Sequence, residues 1–240
     1  MTASLMLRRP DRYHGAIKVR EGCLVVNQET PFFLSYPRAE ARGSGLGGTR
    51  SPNQLVRQFY EDLCEDVAQL VDRPYGSDIG FMDIEGLPGG MNWHTELIRA
   101  LGTCQVLVAL LSVPYLKSDW CGREWHAFAL RNKVQEANIS PNQGCIIPVR
   151  WAPIAVEIPP VVKDRVSIFR PKPTRRNPQL PQRYESEGLY GLLQTGEDDA
   201  VSEIVWHLAQ LIQRIYYSQR LETREFELDE LTNVFGEGEL

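Results

Sequence analysis

The chain of 240 residues is 42% hydrophobic, 24% charged and 9% aromatic, with a formal net charge of −5. This is an ordinary globular composition, long enough to bury a sizeable core in one large or two small domains. No apolar run approaches the roughly 20 residues of a membrane span, and Arg8 and Arg9 follow the Leu5–Leu7 patch, the wrong order for a secretory signal. A cytoplasmic protein with no membrane contact is therefore expected. Five cysteines (Cys23, Cys64, Cys104, Cys121 and Cys145) contain no C-x-x-C pair, and the four histidines are scattered. That excludes a disulfide framework and the usual zinc spacings, so no metal is expected.

In chain order, residues 1–30 read as an N-terminal extension with a hairpin at Lys18–Val26 turning at Glu21–Gly22. PFFLSY (31–36) is a strand-like apolar run ended by Pro37, and residues 38–50 form a Gly-rich loop. Gly43, Gly45 and Gly48 match the dinucleotide pattern G-x-G-x-x-G. Two spacings disagree with it. Gly43 lies seven residues past Tyr36 instead of in a tight turn, and Asp83 lies 35 residues beyond Gly48 where roughly 20 past the motif is required. A nicotinamide dehydrogenase is set aside.

Ser51, Pro52 and Gln54 form a helix start with a capping box, and Leu55, Phe59, Leu63, Val67 and Leu70 recur at helical spacing, predicting a helix over 52–72. IGFMD (79–83) is a short strand, IEGLPGGMN (84–92) a Gly/Pro loop, and 93–103 a helix. CQVLVALLS (104–112) is the central buried strand, followed by a helix over 119–132. Residues 144–151 and 165–170 supply the next strand and an edge strand. The stretch RPKPTRRNPQLPQR (170–183) is the one basic patch, and its prolines make it a solvated loop. A helix closes the domain, with apolar positions from Val201 to Ile215. Residues 221–240 hold seven acidic residues and one Arg, leaving a near-neutral body. Nucleic acid is not an expected partner. Within 219–240, Leu221, Phe226, Leu231 and Val234 either form a docking helix or belong to a solvated acidic tail.

Strands alternating with helices imply a parallel sheet covered on both faces, here with five strands. Continuous apolar strands agree with buried, parallel pairing. In such sheets ligands gather at the carboxyl ends of the strands, where loops 36–50, 84–92 and 112–120 meet. The third holds SVPYLKSDWCGREW, with Ser118 and Asp119 able to cap the following helix. Trp120 and Glu124 are four residues apart, so a flat ring and a carboxylate share one helix face. The positive end of the helix dipole favours the ionised carboxylate, and the pair suits a planar cation. From spacing alone the alternatives stay open. Glu124 could equally be a solvated residue paired with Arg123 or Arg131, Trp120 a core aromatic, Phe33 an inward-packing strand residue, and Asp83 a strand terminator.

FFLSY at 32–36, FMDIEGLPGG at 81–90 and SVPYLKSDWCGREW at 112–125 together resemble the three signature boxes of bacterial TIR (Toll/interleukin-1 receptor) domains. The resemblance extends through IIPVRW (146–151) to 190–212, covering about 31–218. GFMD, CGREW and the late GLYGLL box are closest to FxsC-type TIR-like proteins. What this implies is a flavodoxin-like fold that binds NAD as substrate, with no bound cofactor, and cleaves its nicotinamide–ribose bond. Glu124 then stands at the catalytic glutamate, and Trp120, Tyr36, Ser35, Phe33 and Asp83 at substrate-binding positions. Gly86, Leu87, Pro88 and Gly89 fall in the BB loop, implying a homo-oligomer or filament, with an activating partner protein or small ligand. A non-catalytic adaptor assembling through the same loop is the alternative.

Overall fold

A computed structural model describes residues 29–38, 51–83, 93–131, 133–136, 144–164 and 166–236. The hairpin expected at Lys18–Val26, most of the Gly-rich loop and the BB-loop residues Gly86, Leu87, Pro88 and Gly89 lie outside the described residues. The elements run β1 (Phe32–Ser35), α1 (Pro52–Ala68), β2 (Gly80–Met82), α2 (Trp93–Thr103), β3 (Val106–Leu111), α3 (Val113–Leu116), α4 (Asp119–Leu130), β4 (Lys133–Glu136), β5 (Ile146–Arg150), α5 (Pro160–Lys163), α6 (Leu180–Thr195), α7 (Asp198–Ser218) and β6 (Gln219–Leu221). A 3-10 turn at Leu228–Glu230 follows.

The main sheet is parallel in the order β2-β1-β3-β5. β1 and β3 are buried at every position, as strands covered on both faces must be. α1 starts as its sequence predicts. Ser51 Oγ accepts from Gln54 N–H (3.3 Å) while Gln54 Oε1 accepts from Ser51 N–H (2.9 Å), and Leu55, Phe59, Leu63 and Val67 are buried. It stops at Ala68, short of the expected residue 72. Among the described residues no helix is long and apolar enough to cross a membrane.

The expected fifth strand is a correction, because the described sheet has four. Leu107 N–H donates to the Cys145 carbonyl (2.8 Å) and Trp151 N–H to the Leu111 carbonyl (2.9 Å), so the odd-numbered residues of β5 face β3. On the outward edge Pro148 has no N–H to give, and Arg150 N–H is taken by the Tyr184 hydroxyl (2.6 Å). Segment 166–170 keeps one ladder-like bond, from Phe169 N–H to the Pro148 carbonyl (2.8 Å). A proline at an edge ends pairing in this way.

The segment after α7 is neither a helix nor a free tail. β6 pairs antiparallel with β4, and residues 222–235 then run as a strap across α2 and α4. Arg131 Nε donates to the Glu222 carbonyl (2.9 Å), Arg224 N–H to the Gly102 carbonyl (3.1 Å) and Thr232 N–H to His126 Nδ1 (3.0 Å). Phe226, Leu231 and Phe235 are buried. Gly122 makes room for the strap, since a Cβ there would lie 1.9 Å from Asn233 Oδ1.

Candidate active site

The side chains gathered near the carboxyl edge of the sheet are delivered by the ends of β1 and β2, by the first two turns of α4 and by the turn before it. Ser118 caps α4, its Oγ accepting from Cys121 N–H (3.2 Å), which points the first two turns at the end of β1. Ser112 caps α3 in the same manner and sets Tyr115 inside the core. A cavity of about 290 Å³ opens there, lined by Leu34, Tyr36, Arg38, Asp83, Trp120 and Glu124, with Pro37, Pro114, Ser118 and Cys121 completing the wall. That volume is at the lower end of the range for small-molecule pockets.

Glu124 forms the inner end and is only 3% exposed. Ser35 Oγ donates to its Oε2 and also lies 2.9 Å from the Tyr115 hydroxyl. Burial pushes the Glu124 carboxyl up to about 8, against the opposing pull of the Ser35 hydrogen bond and the positive Arg38. This corrects the expectation of a readily ionised carboxylate. A helix N-terminus is worth roughly 0.3–1 kcal/mol to an anion, and desolvation of a buried carboxyl outweighs it. Burial likewise raises the Tyr115 phenol and the Cys121 thiol, which both stay neutral.

At the mouth, Arg38 pairs with the Asp83 carboxylate, and the Tyr36 hydroxyl donates to the Asp83 carbonyl (2.9 Å). The first strand and the end of β2 are thereby tied together around the opening. Trp120 is half-buried on the wall, one helical turn before Glu124. The surface partners considered for Glu124 are engaged elsewhere. Arg123 pairs with Asp119 (2.8 Å), and Arg131 donates to the carbonyls of Leu101 and Cys104.

Of the residues expected in the site, the structure brings Glu124, Trp120, Tyr36 and Asp83 to the cavity wall and places Ser35 behind Glu124. Phe33 is a correction. It is wholly buried, stacked on Phe81 (centroids 5.3 Å) and edge-on to Phe128 (6.1 Å), because its strand position faces α4 below the pocket. Arg38 and Tyr115 were not anticipated. Arg38 sits two residues past the FLSY box, and Tyr115 lies within the SVPYL stretch itself, yet neither belongs to a recognisable spacing.

The family model for the TIR domain matches residues 57–179. The chain therefore belongs to the TIR-domain family, in agreement with its parallel α/β sheet. The match is to the TIR domain at large and lends no support to the narrower FxsC-type likeness. No curated protein and no solved structure matches the chain.

Proposed function

We propose that the chain is an NAD-cleaving TIR enzyme. The observation that carries this reading is the buried Glu124 carboxyl at the inner end of a cavity whose wall holds Trp120. Cleavage breaks the bond between the nicotinamide nitrogen and the ribose C1′. The bonding pair leaves with the ring, which departs neutral, and positive charge develops on the ribose as in glycoside hydrolysis. A carboxylate facing that carbon stabilises the transition state more than the ground state. Trp120 offers a face to the cationic ring, worth roughly 0.5–2 kcal/mol. Water then adds to C1′ and loses a proton, giving ADP-ribose, or an adenine nitrogen adds to give a cyclic isomer.

The nicotinamide cation also offsets the desolvation that keeps Glu124 protonated. A positive ring beside Glu124 favours its ionised form, so binding substrate and releasing the proton are coupled. Asp83, tied to Arg38 and Tyr36 at the mouth, directly precedes the BB loop in the chain, and closure by a neighbouring copy fits an oligomer or filament. A cytoplasmic role in anti-phage defence or nucleotide signalling is the setting this activity suits.

One observation favours the second reading, a non-catalytic adaptor. Glu124 already has a partner in Ser35, so the same network can serve as a core brace in a domain that only assembles. Purified protein incubated with NAD decides between them. Loss of NAD with wild type and none with Glu124→Gln supports the enzyme. Equal loss with both would remove Glu124 from the reaction, and no loss by wild type in any assembled state while Pro88→Ala abolishes self-association would establish the adaptor. Mass spectrometry of the product separates hydrolysis from cyclisation.

A further inference from the structure

A second cavity of about 290 Å³ lies at the amino end of β5, against the C-terminal half of α7, and shares no lining residue with the Glu124 cavity. Its floor is apolar, formed by Ile146, Ile168, Leu211 and Ile215. Its polar lining is cationic or neutral. Lys172, His207 and Arg214 line it together with Arg170 and Gln210, and among the described residues no carboxylate does. His207, Leu211 and Arg214 follow at helical spacing along one face of α7, with His207 and Arg214 about 10 Å apart along the axis.

Of the nearby carboxylates, Glu185 pairs with Arg170 (2.8 Å), while Glu203 accepts from the Thr174 hydroxyl (2.7 Å) and its charge acts on His207 without lining the cavity. Lys172 and Arg214 form no ion pair among the described residues. Two uncommitted cations on the rim of an apolar hollow select a ligand with negative charge and an apolar body. The hollow is too small for a folded peptide element and is of a size for one small molecule.

We propose that this cavity is a second binding site, for a small organic anion that carries two negative charges and an apolar ring system, the chemistry of a nucleoside monophosphate. The phosphate lies between Lys172 and Arg214, with His207 and Gln210 as hydrogen-bonding partners, and the ring covers Leu211 and Ile215. The site is independent of the role assigned to Glu124.

Calorimetric titration of the full chain with adenosine monophosphate, inorganic phosphate and adenosine tests this. The nucleotide should bind one per chain, at least tenfold tighter than either fragment. Lys172→Glu combined with Arg214→Glu should weaken it at least tenfold, Leu211→Trp should do the same by filling the floor, and Trp120→Ala should leave it unchanged. All these changes are at exposed or half-buried positions, and circular dichroism checks the fold of each. No nucleotide binding overturns the proposal. So does binding that Trp120→Ala abolishes and the double variant keeps, since that places the nucleotide in the Glu124 cavity. Hexaglutamate binding in preference to the nucleotide, with the same dependence on Lys172 and Arg214, overturns it in favour of an acidic peptide.

Discussion

The Ser35 hydroxyl donates to the Glu124 carboxyl across 89 residues of chain, joining the end of the first strand to the second turn of α4. Because both residues are buried, the bond acts where water does not compete. Among the described residues it is the hydrogen bond that holds the Glu124 pKa down while burial drives it up.

Replacing Glu124 by Gln should stabilise the protein at alkaline pH. A folded-state pKa of about 8, against 4.5 when unfolded, means that the folded state keeps a proton that the unfolded state has lost. Stability is then full below about pH 4.5, falls as pH rises to about 8, and levels off above. A tenfold difference in proton affinity between the two states is about 1.4 kcal/mol, so the Gln variant should exceed wild type by about 2–4 kcal/mol at pH 8.5 and match it near pH 5. Urea unfolding at the two pH values measures this, and parallel curves at both would contradict it.

NAD cleavage should depend on the same proton. If the working form of Glu124 is the carboxylate, kcat/KM rises with pH through about 8 and then holds level, because kcat/KM reports the free enzyme. The kcat profile should rise at lower pH, since the cationic ring of bound NAD favours ionisation. Flat profiles between pH 6 and 9 would remove Glu124 from the reaction.

Ser35→Ala removes the hydrogen bond that favours the ionised form. The rise in kcat/KM should therefore move to higher pH, with the plateau rate reduced by a smaller factor than in Glu124→Gln. Ser35→Thr, which keeps the hydroxyl, should restore the midpoint. A purely structural role would lower the rate without moving it.

The strap should contribute stability that local helix formation does not. Phe235 packs against both Tyr115 and Trp125 with ring centroids at 5.6 Å, and truncating such a ring costs about 3–5 kcal/mol. Gly122→Ala should displace Asn233, because the added methyl has nowhere to go. Limited proteolysis should cut Phe235→Ala and Gly122→Ala within 222–235 well before wild type.

Some of this was legible in the chain. α1 was, because its capping box and apolar spacing agree locally. So were the four parallel strands, of which β1 and β3 are the unbroken apolar runs that need cover on both faces. The missing fifth strand was not, since it turns on where Pro148 faces and on a hydroxyl from Tyr184, 34 residues away. The pairing of Trp120 with Glu124 on one wall followed from helical spacing. The charge state of Glu124 did not, because desolvation is set by the whole fold and spacing carries only the smaller dipole effect. The strap was not legible, because backbone hydrogen bonds to His126 and Gly102 hold an extended segment without any periodic pattern.

The strap also fixes an order of events during synthesis. α4 is made about a hundred residues before Asn233 and Phe235, the residues that seat on it. Contacts so distant along the chain close late and slowly. From the synthesis of α4 until that of the strap, the face of Trp125 and Tyr115 that Phe235 will cover is therefore bare, and the pocket helix is fastened only once residues 222–235 have emerged. A nascent or prematurely ended chain carries Glu124 on an unfastened helix, so the activity proposed for it waits on completion of the strap.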